Sequence, residues 1–253
     1  MFDITTLLLV ASFAFVYEVC DAALGQGYGT LGSPTFILLG FDSKIVVPTI
    51  LISQAIGGLI GAYFHNKFRN VDFSNHNTAD MKKVYVIVAS GIIGVIIASF
   101  VGFKVSKEII TTYIGLVVLA IGILILSGIT LKFSWRKFVA IGAISAFNKG
   151  LSGGGYGPVV AGGQTLIGMG AKNSIGITDL AEAPICISGF IVWVFLQGLP
   201  PVDFMLAMII GAGLAPALGA WITYKIPTKT LKMVMGAVIV VLGALCLAKV
   251  LSP

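Results

Sequence analysis

Five ionisable side chains lie inside long apolar stretches of the sequence. Four are acidic and form two pairs spaced i, i+3, Glu18 with Asp21 and Asp179 with Glu182, so that each pair shares one face of a helix. The fifth is Lys149. A charged side chain at the centre of a bilayer costs about 2.5–3.5 kcal/mol. We therefore expect these residues to face a polar cavity or one another.

Two glycine-rich pentapeptides follow these charges closely. They are Gly25-Gln26-Gly27-Tyr28-Gly29, after Glu18 and Asp21, and Gly153-Gly154-Gly155-Tyr156-Gly157, after Lys149. Glycine permits positive φ and leaves backbone N–H groups uncovered, so a helix can unwind at such a stretch. Unwound backbone at membrane depth is tolerated only where protein buries it or a polar cavity adjoins it. We therefore predict that the two pentapeptides and Lys149 form a substrate-binding site.

The composition places this site in a membrane protein. Of the 253 residues, 57% are hydrophobic and 10% are charged, with a mean hydropathy of +1.03, whereas about a quarter of residues in soluble domains are charged. We predict a multi-pass protein of the cell membrane, surrounded by the lipid bilayer. The net charge of +6 comes from basic residues scattered between apolar runs, which indicates membrane-flanking charge and not nucleic-acid binding. Cys20, Cys186 and Cys246 lack metal-ligand spacing, so we predict no metal site and no cofactor.

The elements that must position the site are ten apolar segments. Three of them are shorter than the roughly 20 residues of a full crossing, and all three adjoin the glycine motifs: residues 28–41, 138–150 and 156–171. We predict that these are half-helices, and the sequence does not decide whether they cross or re-enter the membrane. The fold class is an all-α polytopic membrane protein. The other segments are residues 4–24, 45–64, 84–103, 109–130, 174–197, 202–223 and 231–250.

The two halves of the chain align without gaps over long stretches. Two constant offsets, which we call the first and second registers, relate the halves. In the first register, Gly25 aligns with Gly153, so that the two pentapeptides superpose. The same register aligns Gly40 with Gly168, Lys44 with Lys172 and Gly61 with Gly189. In the second register, Lys104 falls on Lys225 and Gly122 on Gly243. Matches in a fixed register indicate a duplicated unit. We predict two repeats, residues 1–130 and 131–253, of about five helical segments each within one membrane domain.

Basic residues divide the loops into two groups. The larger group is Lys67, Arg69, Lys82, Lys83, Lys132, Arg136, Lys137, Lys172, Lys225, Lys229 and Lys232, and the smaller is Lys44, Lys104, Lys107 and Lys249. Cytoplasmic loops carry an excess of Lys and Arg, so we predict that the larger group is inside. Loop 65–83 is then inside and its repeat mate, loop 198–203, is outside. The repeats are therefore predicted to be inverted, with both termini outside.

The first register also superposes Asp21 on Lys149. Inverted repeats bring equivalent positions close to a pseudo-two-fold axis, so we expect these two residues to form an ion pair. That pair would either serve transport or only hold the two halves together. Gln54 falls on Glu182, so a polar side chain recurs at this position as well.

The sequence resembles a known family, the TauE/SafE sulfite exporters, also called TSUP permeases. The similarity covers nearly the whole chain and is carried by two signatures, Asp21-x-x-x-Gly25-x-Gly27-Tyr28-Gly29 and Ser152-Gly153-Gly154-Gly155-Tyr156-Gly157. Relatives typically carry a proline soon after the first glycine cluster, and here Pro34 and Pro158 stand at different distances from their motifs. The resemblance implies a secondary transporter that exports or exchanges small sulfur-containing anions such as sulfite or sulfonates.

An anionic substrate fits these residues only if protons accompany it. Lys149, the uncovered N–H groups and the positive ends of the half-helices favour an anion, but the four carboxylates leave a net charge of −3 in the apolar segments. Burial and like-charge neighbours favour the protonated form of a carboxyl group. We therefore expect Glu18, Asp21, Asp179 and Glu182 to couple protons to transport. The alternative is a metal or organic cation held by the carboxylates, with the glycines serving helix packing.

Other polar residues carry weaker signals. Tyr28 and Tyr156 either donate to a substrate oxygen or pack, and the sequence does not decide. His65 and His76 lie in or beside the hydrophilic loop, where we expect them to be solvated. The Gly-x-Gly-Asp string of an intramembrane aspartyl protease is absent from the sequence. We therefore do not expect an enzyme, and the choice between a monomer and a homo-oligomer stays open.

Overall fold

The computed structural model describes residues 2–102 and 105–251, without the side chains of Leu38, Lys107 and residues 249–251. Within these ranges the chain forms eleven α-helices and no strand, which confirms the all-α fold class. The helices are α1 (Ile4–Leu24), α2 (Tyr28–Leu38), α3 (Ser43–Lys67), α4 (Ala79–Gly102), α5 (Lys107–Leu126), α6 (Trp135–Ser152), α7 (Tyr156–Leu166), α8 (Ala171–Gln197), α9 (Val202–Leu214), α10 (Pro216–Lys225) and α11 (Thr228–Leu251).

Seven helical stretches in the described ranges are long and apolar enough to cross a membrane. They are α1, α3, α4, α5, α8, α11 and the continuous pair α9–α10 (Val202–Lys225). Large apolar side chains on these helices point outward, among them Phe195, which is 82% exposed, and Leu8, which is 62% exposed. Such a surface is stable when lipid tails surround it. The chain is therefore a multi-pass membrane protein, as predicted.

Both glycine motifs interrupt helices. α1 ends where Gly25 takes a φ of 68°, and α6 ends where Gly153 takes a φ of 74°. Glycine adopts this left-handed conformation without the strain that a β-carbon would cause. The following helices, α2 and α7, have 11 residues each. At about 1.5 Å per residue each spans about half of a hydrocarbon core of about 30 Å.

Each short helix folds back along the helix that precedes it. Tyr17, in the second half of α1, donates a hydrogen bond of 3.0 Å to Thr35 near the end of α2. Ile141, early in α6, contacts Gly163, late in α7. Each contact joins two residues that lie far from the glycine motif on either side of it. The chain therefore reverses direction at the motif. α1–α2 and α6–α7 are therefore helical hairpins with the glycine motifs at their tips.

Contacts between helix ends divide the loops into two sides. On one side, the Phe2 N–H donates to Asp203 (2.8 Å) and the Gln197 side chain donates to the Lys44 carbonyl. On the other, the Leu131 N–H donates to the Leu166 carbonyl (2.8 Å) and the Lys172 ammonium donates to the Tyr224 carbonyl (2.6 Å). The loops on each side are those that the sequence analysis grouped together, and the assignment of one side to the cytoplasm stays a prediction. The predicted positions of Lys104 and of the Lys107 and Lys249 side chains lie outside what the structure describes.

Helices from the two halves exchange equivalent contacts. Between α3 and α8, Leu51 lies against Gly189 and Gly61 against Asp179, and the first register turns one contact into the other. Between α5 and α11, Gly122 lies against Val240 and Leu119 against Gly243, related in the same way by the second register. Both helix pairs are antiparallel. These contacts support our proposal that residues 1–130 and 131–253 are inverted repeats.

Labelling of single cysteines tests the proposed sidedness. We expect a membrane-impermeant thiol reagent, added outside intact cells, to modify Pro200→Cys and to spare Asn75→Cys, because the α8–α9 and α3–α4 loops lie on opposite sides. The background should lack Cys20, Cys186 and Cys246. Permeabilised cells, in which both positions should react, provide the control. Labelling of both positions in intact cells would contradict inverted repeats.

Candidate functional site

The two glycine motifs contact each other through their backbones at the centre of the protein. A β-carbon on Gly29 would overlap the Gly153 carbonyl oxygen, and one on Gly157 would overlap the Gly25 carbonyl oxygen. The first register turns one of these contacts into the other. Only glycine permits so close an approach of two chains. The predicted substrate-binding pentapeptides are thus brought together.

About half of the backbone amides in the motifs are already used inside the protein. The five amides that donate are Gly25 to the Asp21 carbonyl (2.6 Å), Tyr28 to the Asp21 carboxylate (3.0 Å), Gly153 to the Lys149 carbonyl (2.8 Å), Gly154 to Ser152 (3.2 Å) and Gly155 to Thr30 (3.1 Å). Within the described ranges, the amides of Gln26, Gly27, Gly29, Tyr156 and Gly157 donate no hydrogen bond. The group of amides that could bind a ligand is therefore smaller than the sequence predicted, and it lies at the starts of α2 and α7.

Four polar side chains form a buried network beside the breaks. The Lys149 ammonium donates to Glu182 Oε1 at 2.7 Å and also to the Gln54 side-chain oxygen Oε1. The Gln54 amide then donates to Asp21 Oδ2 at 3.1 Å. Each of the four is at most 4% exposed. We call Asp21, Gln54, Lys149 and Glu182 the central network.

The predicted ion pair between Asp21 and Lys149 is wrong. Lys149 pairs instead with Glu182, and the Gln54 side chain lies between Lys149 and Asp21. Asp21 is already satisfied by Gln54 and by the Tyr28 N–H, so it does not need the ammonium. The network still follows the repeat symmetry. Gln54 and Glu182 are equivalent positions, and so are Asp21 and Lys149; Gln54 contacts Asp21 in one repeat as Glu182 contacts Lys149 in the other.

The remaining two carboxyl groups lie against glycines of α3. The Glu18 carboxylate packs on Gly57 and the Asp179 carboxylate on Gly61, one helical turn further along. Glu18 Oε2 and Asp179 Oδ2 are buried and accept no hydrogen bond from the described residues. Asp179 Oδ2 nevertheless lies 3.3 Å from His65 Nε2. The carboxyl groups of Glu18 and Asp179 thus have fewer hydrogen-bond donors than those of the central network.

Three further placements bear on the site. His65 is fully buried, so the expectation that it is a solvated loop residue is wrong. The reason is that α3 extends to Lys67 and carries His65 inward, whereas His76 is in the exposed segment. The Tyr28 hydroxyl bonds the Ser53 hydroxyl at 2.7 Å, while the Tyr156 hydroxyl is buried without such a partner among the described residues. Tyr156 therefore keeps a donor that a ligand could use.

Sequence reasoning missed Gln54 and Thr30 as members of the site. Gln54 showed a signal, because it aligns with Glu182, but its role as a bridge requires the structure. Thr30 directly follows the first motif, and its hydroxyl accepts the Gly155 N–H from the other repeat. In the ranges that the structure describes, no three His, Cys, Asp or Glu residues are grouped to hold a metal ion.

Comparison with known proteins identifies the family of this chain. The family model described as "Sulfite exporter TauE/SafE" matches residues 9–245. The chain is also similar to the "Probable membrane transporter protein YtnM" of Bacillus subtilis (strain 168), with 21% identity over 254 residues that cover 94% of this chain and 81% of the relative. Both descriptions are of transporters, and the family match includes both glycine motifs and the whole central network. The chain belongs to the TauE/SafE sulfite exporter family.

Proposed function

We propose that this membrane transporter exports small sulfur-containing anions, such as sulfite or organosulfonates, across the cell membrane and couples their movement to protons. The observation that carries the proposal is the position of Lys149. Its side chain is 1% exposed, and it lies in the last turn of α6 beside the contact between the two breaks. A buried cation at the meeting point of two helix breaks is suited to hold an anion.

The backbone adds to this attraction. α2 and α7 both begin at the breaks, and the N-terminal end of a helix carries partial positive charge and unsatisfied N–H groups. The amides of Gly29 and Gly157, at these two ends, donate no hydrogen bond within the described ranges. The Gly29 and Gly157 backbones lie against Gly153 and Gly25, so the two positive ends converge. An anion between them would interact with both helix ends and with Lys149.

The pair between Lys149 and Glu182 explains why protons would be coupled. In the structure, Glu182 already neutralises Lys149 at a distance of 2.7 Å. An anion that binds the ammonium must displace this carboxylate. A displaced carboxylate in the interior would be an unpaired buried charge, which is strongly unfavourable unless it takes up a proton. Binding of one anion therefore requires about one proton at Glu182, and the two would move in the same direction.

A second candidate function is supported by Glu18 and Asp179. Each has a buried oxygen without a hydrogen-bond partner among the described residues, and a bound cation would satisfy both. In this alternative the carboxylates bind a metal or organic cation, and the glycines serve helix packing alone. Lys149 argues against it, because its ammonium lies within hydrogen-bond distance of Glu182 and repels a second cation.

A thermal-shift screen of the purified protein separates the two candidates. We expect sulfite or a sulfonate to raise the unfolding temperature and metal or organic cations to leave it unchanged, because a ligand of the folded state stabilises it by mass action. A ligand at a hundred times its Kd adds about 2.7 kcal/mol to the free energy of unfolding. Thiosulfate and carboxylates provide the comparison set for selectivity. Stabilisation by cations alone would contradict the proposed function.

A further inference from the structure

A polar cavity opens at the end of α3, beneath the segment that joins α3 to α4. Its volume is about 490 Å³, and its walls include Asn66, Arg69, Asn70, Asp72, Asp80 and Asn173. It lies on the side of the loops that we propose to be cytoplasmic. Among these residues, Asn70 is only 3% exposed and contacts His65. The cavity therefore brings water to within one side chain of the buried His65.

The hydrogen bonds of His65 indicate which ring nitrogen carries the proton. Asn70 Nδ2 donates to the Ala220 carbonyl at 3.0 Å and lies 3.0 Å from His65 Nδ1, so Nδ1 is an acceptor. His65 Nε2 lies 2.9 Å from the Ala22 carbonyl oxygen, which can only accept. Together these partners assign the neutral tautomer with hydrogen on Nε2. The ring thus has a proton on its inner side, and its Nδ1 lone pair points towards the cavity and accepts a hydrogen bond from Asn70.

The inner nitrogen of His65 faces an unsatisfied carboxylate. Nε2 lies 3.3 Å from Asp179 Oδ2, and no described residue donates a well-aligned hydrogen bond to that oxygen. Asp179 precedes Glu182 by three residues on α8, so both carboxyl groups lie on one face of the helix. Glu182 in turn holds Lys149. Polar groups therefore lead from the cavity through Asn70, His65 and Asp179 towards the central network.

We propose that His65 relays protons between this cavity and Asp179, and so supplies the carboxyl groups beside Lys149. The use of this relay in transport rests on the proposed function. In the step, the Asn70 amide turns aside and a hydronium ion in the cavity gives a proton to Nδ1 and becomes water, while the Nε2 proton passes to Asp179 Oδ2. One proton enters the ring and one leaves it, so the ring stays neutral and becomes the other tautomer. Imidazole suits this role because each nitrogen can give or take a proton near neutral pH.

The surroundings of His65 leave Asp179 as the acceptor. The Ala22 carbonyl of α1 bonds the ring, while the Ala220 carbonyl and the Thr223 hydroxyl of α10 bond Asn70 and the Ala22 carbonyl beside it. None of these groups titrates in this range. The ionisable residues on the cavity side are Arg69, Asp72 and Asp80. Glu18 lies about two turns of α3 away, against Gly57. A proton that leaves Nε2 therefore reaches Asp179 before any other carboxylate in the described structure.

Time-resolved infrared spectroscopy after a pH jump tests the relay without any substrate. We expect a fall in pH to produce a carbonyl band of protonated carboxylic acid, part of which is absent in Asp179→Asn. In His65→Gln, that part should form at least about tenfold more slowly. His76→Gln is the matched control, because His76 is exposed and bonded to the Tyr85 hydroxyl, and it should behave as wild type.

A purely structural His65 would give a different result. It would leave the rate of band formation unchanged in a folded His65→Gln protein, and that outcome would overturn the relay. If His65→Gln does not fold, Asn70→Ala decides. This variant uncovers Nδ1, so Asp179 should be protonated faster than in wild type, and an unchanged or slower rate contradicts the relay. Sulfite counterflow at constant pH is measured separately. Its absence in wild type would refute the proposed function, and the infrared result would still decide the relay.

Discussion

Replacement of Gly29 or Gly157 by alanine is expected to prevent stable folding of the transporter. A β-carbon at either position would overlap a carbonyl oxygen of the opposite motif, which is backbone and cannot turn away. Overpacking usually costs about 1–3 kcal/mol, and we expect each substitution to reach or exceed the upper end of this range. The measurement is the free energy of unfolding in detergent, together with the yield of monodisperse protein.

Gly32→Ala is the matched control, because it lies in the same helix as Gly29 and meets its nearest neighbour, a Tyr17 ring carbon, at an ordinary 3.5 Å. Alanine is favoured over glycine in a helix by about 0.5–1 kcal/mol, so this variant should be as stable as wild type or more stable. Equal effects of Gly29→Ala and Gly32→Ala would mean that the close contact between the two breaks is not needed.

The second large effect is expected at the buried ion pair. Lys149→Met leaves the Glu182 carboxylate without its cation, and breaking a buried pair in this way costs about 3–5 kcal/mol. The double variant Lys149→Met with Glu182→Gln removes both charges and should recover most of that stability, but it should not bind the anion. Free energies of unfolding and thermal shifts with sulfite measure the two properties separately.

The structure also provides a control for the comparison of the single and double variants. Lys149→Met with Asp21→Asn should recover much less stability, because Asp21 bonds Gln54 and the Tyr28 N–H and does not contact Lys149. Equal recovery by the Asp21 and Glu182 double variants would show that Lys149 interacts with the acidic residues only through long-range attraction. It would then contradict the specific pair on which the proposed coupling depends.

The helix breaks were predictable because local chemistry determines them. Glycine density marked where α1 and α6 end, and the tyrosine of each motif begins the next helix. The two repeat registers also recur in the helix starts: Ser43 and Ala171 begin α3 and α8, and Lys107 and Thr228 begin α5 and α11. Such features need only the neighbouring residues or a comparison within the chain.

The partners of the buried charges were not predictable, because they depend on three-dimensional packing. Alignment placed Asp21 and Lys149 at equivalent positions, but it could not show that the Gln54 side chain would lie between them. His65 was misplaced because the apolar pattern weakens before α3 ends at Lys67, and because its partner Asp179 is distant in the sequence. The partner of a side chain in the other repeat can be identified only from the packed arrangement of the helices.

The most direct test of the central claim is the pH dependence of anion binding in Glu182→Gln. The claim is that an anion takes the place of Glu182 at Lys149 only when Glu182 takes up a proton. In wild type, affinity for sulfite or a sulfonate should therefore rise as the pH falls, whereas Glu182→Gln should bind with an affinity that no longer depends on the protonation of this site. Titration of both proteins at matched concentrations of the singly charged anion corrects for ionisation of the ligand itself. A Glu182→Gln protein that keeps the full pH dependence of wild type would contradict the account.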